Sequence, residues 1–397
     1  YPQNDSSAKN ASFLLQNYIK NLTEVEVPIS DDSSTCPSKS ILVGQTSCTP
    51  NNTRSFSQNS EDSFYLQTQG DTFIINGGTR GVHYGVMEIL ERFGGVRWYS
   101  NDFFVIPHLS NFSIDILDEE HFPHIPFRSI YIKYSSNSLV ANDTHSPQKT
   151  EVSNDVMNYY FRNNFGVDLP DEMGGSINFR QGLSNHTFLS LIPPILYFNE
   201  NPGWFSMDEN GERINDGQLC LTNTQLVSKF ASNLIDIIRD DLNDTRYKNN
   251  KIRIYSISKN DNDKYCHCFN CRSRRRAKGE NGYILEFINT IAQEVNKVSA
   301  FSEYDIYLET LFTDTTVSNE ISPSEKVIPR FSLESIDLLR PLNESENIFY
   351  QLSTWSEKSS SFMIWDYQNS MVELTSFLPN FHSIQQNIKI YKSFDNL

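Results

Sequence analysis

Apolar residues at Ala11, Leu14, Leu15, Tyr18 and Ile19 recur at the three- and four-residue spacing of one helical face, which predicts a helix over residues 8–20. A polar, Ser-rich stretch follows. Alternating patterns then predict strands at 64–68 and 72–75, a turn at Gly77-Gly78, a helix over 81–93 stopped by Gly94-Gly95, and a strand at 96–99. This alternation reads as a small α/β layer domain over residues 1–120. Past Pro123 and Pro126 the rhythm changes. Strand-like runs lie at 129–134, 176–179, 218–221, 251–258, 304–311, 327–333 and 361–367. Between them run two amphipathic stripes, one through Leu226, Val227, Phe230, Leu234, Ile237 and Ile238, the other through Ile284, Phe287, Ile288, Ile291, Val295 and Val298.

Strands alternating with helices at this interval predict βα units and a parallel sheet, here a TIM-like (β/α)8 barrel over residues 121–397. Seven units can be counted, and the last residues read as the helix after strand seven. The eighth strand is the missing part. A missed early strand, an open barrel, or a natural chain running on beyond Leu397 would each account for it. The last is favoured, and a second chain completing the barrel is the partner this incompleteness implies. The segment Asn76 to Gly81 is glycine-rich but lacks the spacing of a phosphate-binding loop, so it reads as a plain strand–turn–helix connection.

Composition narrows the classes. Of 397 residues 38% are hydrophobic, with 27 Phe and 19 Tyr, which is ample for a large core and excludes a disordered or fibrous chain. The 33 basic against 49 acidic residues leave a net charge of −16, which disfavours nucleic acid and anionic membranes as partners. No run approaches the 18 or so apolar residues of a spanning helix.

Three features point to a secreted or lysosome-like, N-glycosylated protein. The chain begins at Tyr1 rather than Met, which fits a mature chain whose signal peptide has been removed. Asn-x-Ser/Thr sequons occur at Asn4, Asn10, Asn21, Asn51, Asn111, Asn142, Asn185, Asn243 and Asn343. The six cysteines form an even set, and Cys36 with Cys48 reads as a loop-closing disulfide.

The other four cysteines leave two readings. Cys266, Cys268 and Cys271 have C-x-C-x-x-C spacing, and Cys220 would be a fourth sulfur. Four thiolates suit structural zinc, whereas an oxidising compartment favours two disulfides, the preferred reading. Neither offers an open catalytic metal position, and no other cofactor is expected. His267 lies between the sulfurs and reads as pointing away. The basic run Arg272, Arg274, Arg275, Arg276 and Lys278 reads as a solvated face, with an anionic-glycan contact or a protease-sensitive site as sharper alternatives.

Several runs together carry a resemblance. The stretch from Gly77-Gly78-Thr79-Arg80-Gly81 through Leu90-Glu91-Arg92-Phe93-Gly94-Gly95-Val96-Arg97-Trp98-Tyr99 resembles the small α/β domain that precedes the barrel in α-glucuronidases. His186-Thr187-Phe188, Ile192-Pro193-Pro194, Asn201-Pro202-Gly203-Trp204-Phe205 and Gln218-Leu219-Cys220-Leu221-Thr222-Asn223 are similar to the family called Domain of Unknown Function 4838. So are Ser258-Lys259-Asn260-Asp261-Asn262-Asp263, Tyr265-Cys266-His267-Cys268 with Cys271, and Ile364-Trp365-Asp366-Tyr367. The similarity runs over about residues 70–397, and it implies a glycoside-hydrolase-like architecture and a saccharide substrate. The chain departs from the family in two places. Gly203 stands where the family has an acid before an aromatic, and the family's small-Tyr pair is replaced near Phe312-Thr313.

Glycoside hydrolysis needs two carboxyl groups across one bond, and a barrel presents them at the C-terminal ends of its strands. Asp261 and Asp366 hold such positions and form the favoured pair, one as general acid and the other as base or nucleophile. Glu309, near the end of its strand, is a third candidate, and Asp263 reads as a turn residue. Trp365 and Trp355 would offer flat apolar faces to a sugar ring. His186 would bond a hydroxyl, and Arg128 would pair a substrate carboxylate, though an internal ion pair serves Arg128 as well. The expected activity is hydrolysis of a glycosidic bond, with a uronic acid or amino sugar as the candidate unit. The rival is a carbohydrate-binding or assembly glycoprotein on the same fold.

Overall fold

The computed structural model describes residues 1–33, 35–56, 61–99, 103–128, 179–180, 182–244, 252–334, 336–368 and 378–397. The chain divides into two compact units, Tyr1–Ile177 and Asn178–Leu397. The first reaches further than the expected boundary at 120, and residues 129–178 lie outside the described residues. The expected strand at 129–134, most of that at 176–179, and Asn142 fall there.

In the first unit, helix α1 (Ser6–Thr23) is started by Asp5, whose side chain accepts the Ala8 N–H at 2.9 Å, and ended by Glu24 at φ 60°. It buries Ala8, Ala11, Leu15, Tyr18, Ile19 and Leu22, the predicted stripe extended by one turn at each end, with Leu14 half-buried. With α2 (Gly81–Arg92) it covers a four-stranded sheet ordered β1 (Ser40–Val43), β3 (Thr72–Gly77), β2 (Phe64–Gln69), β6 (Asp118–His121). β1 runs parallel to β3, and the other pairs are antiparallel. The predicted strand at 96–99 shortens to β4 (Arg97–Trp98), paired with β5 (Phe104–Val105). At Gly81 a Cβ would sit 1.9 Å from the Ser63 carbonyl oxygen, so only glycine lets α2 start this close to the sheet.

Arg128 belongs to this unit. Its Nη2 lies 3.1 Å from Asp62, which is 5% exposed and also takes the Arg80 guanidinium. The internal ion pair is thus the role its geometry gives it. Cys36 and Cys48 form a disulfide, the kind of bond that oxidising compartments keep. Replacing both by Ala is expected to cost about 2–3 kcal/mol, given the short loop closed, read as a lower midpoint in urea unfolding.

In the second unit, β7 (Ile252–Ser256), β8 (Asp305–Phe312), β9 (Val327–Ser332) and β10 (Met363–Trp365) pair in chain order, every pair parallel. Phe179 adds a parallel bridge to Ile254 on the free side of β7. This is a half-barrel sheet, mixed with helices as the alternation predicts. The expected strand at 218–221 is reduced to an isolated bridge between Phe205 and Leu219. Short α3 (Phe188–Leu191) and α4 (Pro194–Tyr197) precede α5 (Thr224–Asn243), then α6 (Phe269–Asn296), α7 (Glu346–Lys358) and α8 (Phe381–Tyr391). Asn223 caps α5 through the Leu226 N–H at 3.1 Å. Phe188, Phe230 and Phe287 meet edge to face at 5.1–5.9 Å and tie α3, α5 and α6 together. α6 bends at Gly279, where φ is 73°.

Among the described residues no helix is long and apolar enough to cross a membrane. Asn4, Asn21, Asn51, Asn111, Asn243 and Asn343 are exposed, while Asn10 and Asn185 are half-buried.

Candidate functional site

Strand alternation sorts the parallel sheet into two faces. Phe312 and Phe331 are paired in register and both pack against the Trp355 ring of α7, so their face meets the helix layer. Ser256 is in register with Glu309, Leu311 with Arg330, and Trp365 with Ser332. These residues therefore share the opposite, inward face.

On that face Arg330 Nε lies 2.7 Å from Glu309 Oε1, with the two side chains 9% and 0% exposed. The N–H is not aligned on the oxygen, so charge rather than an oriented hydrogen bond holds the pair. The same guanidinium sits 4.9 Å from the Trp365 ring centroid and 4.6 Å from that of Phe179, and its Nη2 donates to the Ser184 carbonyl at 2.7 Å. Burial pushes the Glu309 carboxyl above its ordinary value, and Arg330, Ser256 and His186 only partly oppose this. Trp365 stacks on Tyr367 with ring centroids 5.9 Å apart and planes 5° from parallel. Tyr367 also reaches Ser332 at 3.4 Å.

His186 adopts φ 52°, an uncommon backbone state for a residue with a side chain. Its N–H donates to Ser258 Oγ at 3.0 Å and its Nδ1 meets the Lys259 carbonyl at 2.9 Å. That contact makes Nδ1 the protonated nitrogen and leaves Nε2 as an acceptor in the neutral ring. Thr187 fastens the same turn to the end of β7 through Ser256 and Ser258.

Beyond β7 the chain runs through Lys259, Asn260 and Asp261, and Gln218 pins this loop. Its Nε2 donates to the Asn260 and Asn262 carbonyls at 2.8 and 2.7 Å, and its Oε1 accepts the Asn260 N–H at 2.9 Å. Asp261 stands exposed just past the buried Asn260.

The structure thus brings Glu309, His186 and Trp365 to one face and adds Arg330, Tyr367 and Ser256, which the sequence reading had not singled out. Asp366 follows Trp365 by one residue and so takes the other side of the strand. There its carboxyl accepts from Gln368 at 2.8 Å, and the Tyr391 hydroxyl of α8 also favours its charged form, while burial pushes it up. Trp355 is fully buried, its indole N–H donating to the Thr315 carbonyl at 3.0 Å, and has no face open to a ligand. Arg330 had a signal of its own: a charge inside the run Val327–Ser332, every residue of which is buried.

An open hollow of about 260 Å³ lies elsewhere, beside Cys220 and Cys268, and includes none of these residues. Cys220, Cys266, Cys268 and Cys271 are unbridged, and their sulfurs lie within 4.8 Å of one another. The basic run occupies the first turns of α6, where Arg274 and Lys278 pair with Glu286, and the Arg275 guanidinium lies over the Tyr265 ring at 4.6 Å.

No curated protein matches the chain. Among solved structures, a family GH115 4-O-methyl-α-glucuronidase with specificity for decorated arabinogalactans is similar in fold, with a TM-score of 0.50 and 11% identity. The similarity covers 99% of this chain and 56% of that one, so the chain spans little more than half of that protein's length. The family model for a domain of unknown function, DUF4838, matches residues 98–395. The runs around His186, Cys220, Asp261, Cys266 and Trp365 all lie within that match, and the chain belongs to the DUF4838 family, with a glycoside-hydrolase-like fold.

Proposed function

We propose that this chain seats a glycan on the inward face of its parallel sheet and hydrolyses a glycosidic bond there, within a complete barrel of the (β/α)8 kind. One observation carries the reading: a buried carboxyl with raised proton affinity, an arginine, a histidine and a stacked aromatic pair share that face. Trp365 and Tyr367 give the ring of a sugar an apolar platform. Nε2 of His186 accepts a hydroxyl. Glu309, whose affinity for a proton is raised by burial, serves as the general acid that gives a proton to the glycosidic oxygen as the C–O bond breaks. Asp261, exposed at the end of the pinned loop, takes a proton from the water whose oxygen bonds the anomeric carbon. Glu309 replaces Asp366 in this scheme because Asp366 is turned to Tyr391. A uronic acid fits as the unit recognised. Arg330 adds positive charge to the face, and the structurally similar glucuronidase acts on a uronate.

A second reading, glycan binding without hydrolysis, is favoured by the burial of Glu309 behind Arg330. One set of assays separates the two. Wild-type chain is expected to release product from aryl uronides or uronate-decorated polysaccharide, with aryl amino sugars as the comparison. Glu309→Gln and Asp261→Asn should each lower turnover by about 10²-fold or more while glycan affinity persists. Asp366→Asn should leave turnover in place. Wild-type binding without turnover would establish the second reading, and absence of both would overturn the proposal.

A further inference from the structure

The four-cysteine cluster has the dimensions of a metal site. Cys220 Sγ lies 3.8 Å from Cys268 Sγ and 3.7 Å from Cys271 Sγ. For thiolates at about 2.3 Å from a tetrahedral Zn²⁺, geometry makes the sulfur–sulfur edge about 3.8 Å. A disulfide would instead draw two sulfurs to about 2.05 Å. We propose that Cys220, Cys266, Cys268 and Cys271 bind one Zn²⁺ in a closed, structural, four-sulfur site.

The surroundings suit that ion. Cys268 is the N-cap of α6 and Cys271 its third residue, so the positive end of the helix faces both thiolates. Thr222 Oγ1 lies 3.1 Å from Cys271 Sγ, the Met207 N–H donates to Cys266 Sγ at 3.4 Å, and Arg213 Nη1 donates to the same sulfur at 3.7 Å. Binding releases the four thiol protons and leaves a net charge of −2, which the Arg213 guanidinium partly offsets. The hollow lined by Arg213, Cys220 and Cys268 gives the ion a route in. Four sulfurs fill the coordination sphere, so the metal has no position for substrate and takes no part in chemistry.

Its work is mechanical. Cys220 lies two residues after Gln218, and Cys266 four residues after Asn262, which Gln218 holds. The metal therefore clamps together the two loops that present Asp261, and this holds whether or not the chain is a hydrolase.

The test uses the full chain purified without reductant or chelating resin. Plasma mass spectrometry is expected to find one zinc per chain, and alkylation after denaturation should label four cysteines. Exchange for Co²⁺ should give thiolate-to-cobalt charge-transfer bands and visible bands of tetrahedral intensity. Cys268→Ser, at the half-buried ligand, should lose most of the bound metal. If that variant fails to fold, the cobalt spectrum of the wild type decides alone. Two disulfides among these cysteines with no stoichiometric metal would overturn the proposal, as would full zinc retention in folded Cys268→Ser. Chelation should speed amide exchange in residues 205–222 and 257–266 first, and unchanged exchange would refute the clamp.

Discussion

Arg330→Met is expected to lower the stability of the unit Asn178–Leu397 by about 3–5 kcal/mol, because it leaves the Glu309 carboxylate buried without its counter-charge. Glu309 is 0% exposed, so water cannot replace the guanidinium. The loss has a defined pH dependence. Burial already raises the folded-state affinity of Glu309 for a proton above the ordinary value of 4.5, and removing Arg330, which opposes the rise, lifts it further. A carboxyl that holds its proton more tightly when folded makes stability fall as pH climbs from the unfolded value to the folded one. The variant should therefore be least impaired near pH 4 and progressively worse towards neutrality, as urea unfolding at stepped pH would show. Glu309→Leu combined with Arg330→Met should recover much of the loss, since a buried pair exchanged for apolar groups is often neutral. A deficit independent of pH would mean that contacts with Phe179 and Trp365, rather than charge, set the role of Arg330.

Trp355→Ala is expected to cost about 3–5 kcal/mol, the usual range for emptying a large aromatic from a core. Its ring packs against Phe331 at 5.1 Å and Phe312 at 6.1 Å, and the change also strips the Thr315 carbonyl of its donor. Glycan affinity per folded molecule should stay unchanged. Trp365→Ala should behave oppositely, with little loss of stability and a clear loss of glycan affinity by calorimetry. Matching behaviour of the two variants would place the platform elsewhere.

Much of the second unit was legible because long apolar runs and 3.6-residue stripes coincide there. β7, β8, β9, β10 and α5 lie where periodicity puts them, within a few residues, while α6 starts at Phe269, fifteen residues before its predicted stripe, because its first turns are the Cys- and Arg-rich run that carries no apolar face. β1 and β6 were not, since one lies in a Ser-rich stretch and the other, Asp-Glu-Glu-His, is an acidic strand at the sheet's edge that periodicity does not mark. In the candidate site, Trp365 and Asp366 were both expected at the strand end, but adjacent residues take opposite faces, so only Trp365 shares the inward face with Glu309 and Arg330. The partnership of Glu309 with Arg330 depends on the register between β8 and β9, which no single strand's pattern reveals. Likewise the spacing of four cysteines favoured two disulfides over a metal, whereas the structure leaves all four unbridged with their sulfurs within 4.8 Å of one another, a placement that spacing alone does not reveal.

The single amide of Gln218 bears on how a ligand would be met. Three of its bonds fall on the backbone around Asp261, so that stretch is ordered during folding rather than on arrival of a sugar. A preorganised wall spares the encounter the entropy of freezing a loop, and it leaves the Asp261 carboxylate, the base of the proposed scheme, little freedom to adapt. Selectivity at this edge then comes from rigid shape: glycans that fit bind without rearrangement, and those that do not gain nothing from induced closure.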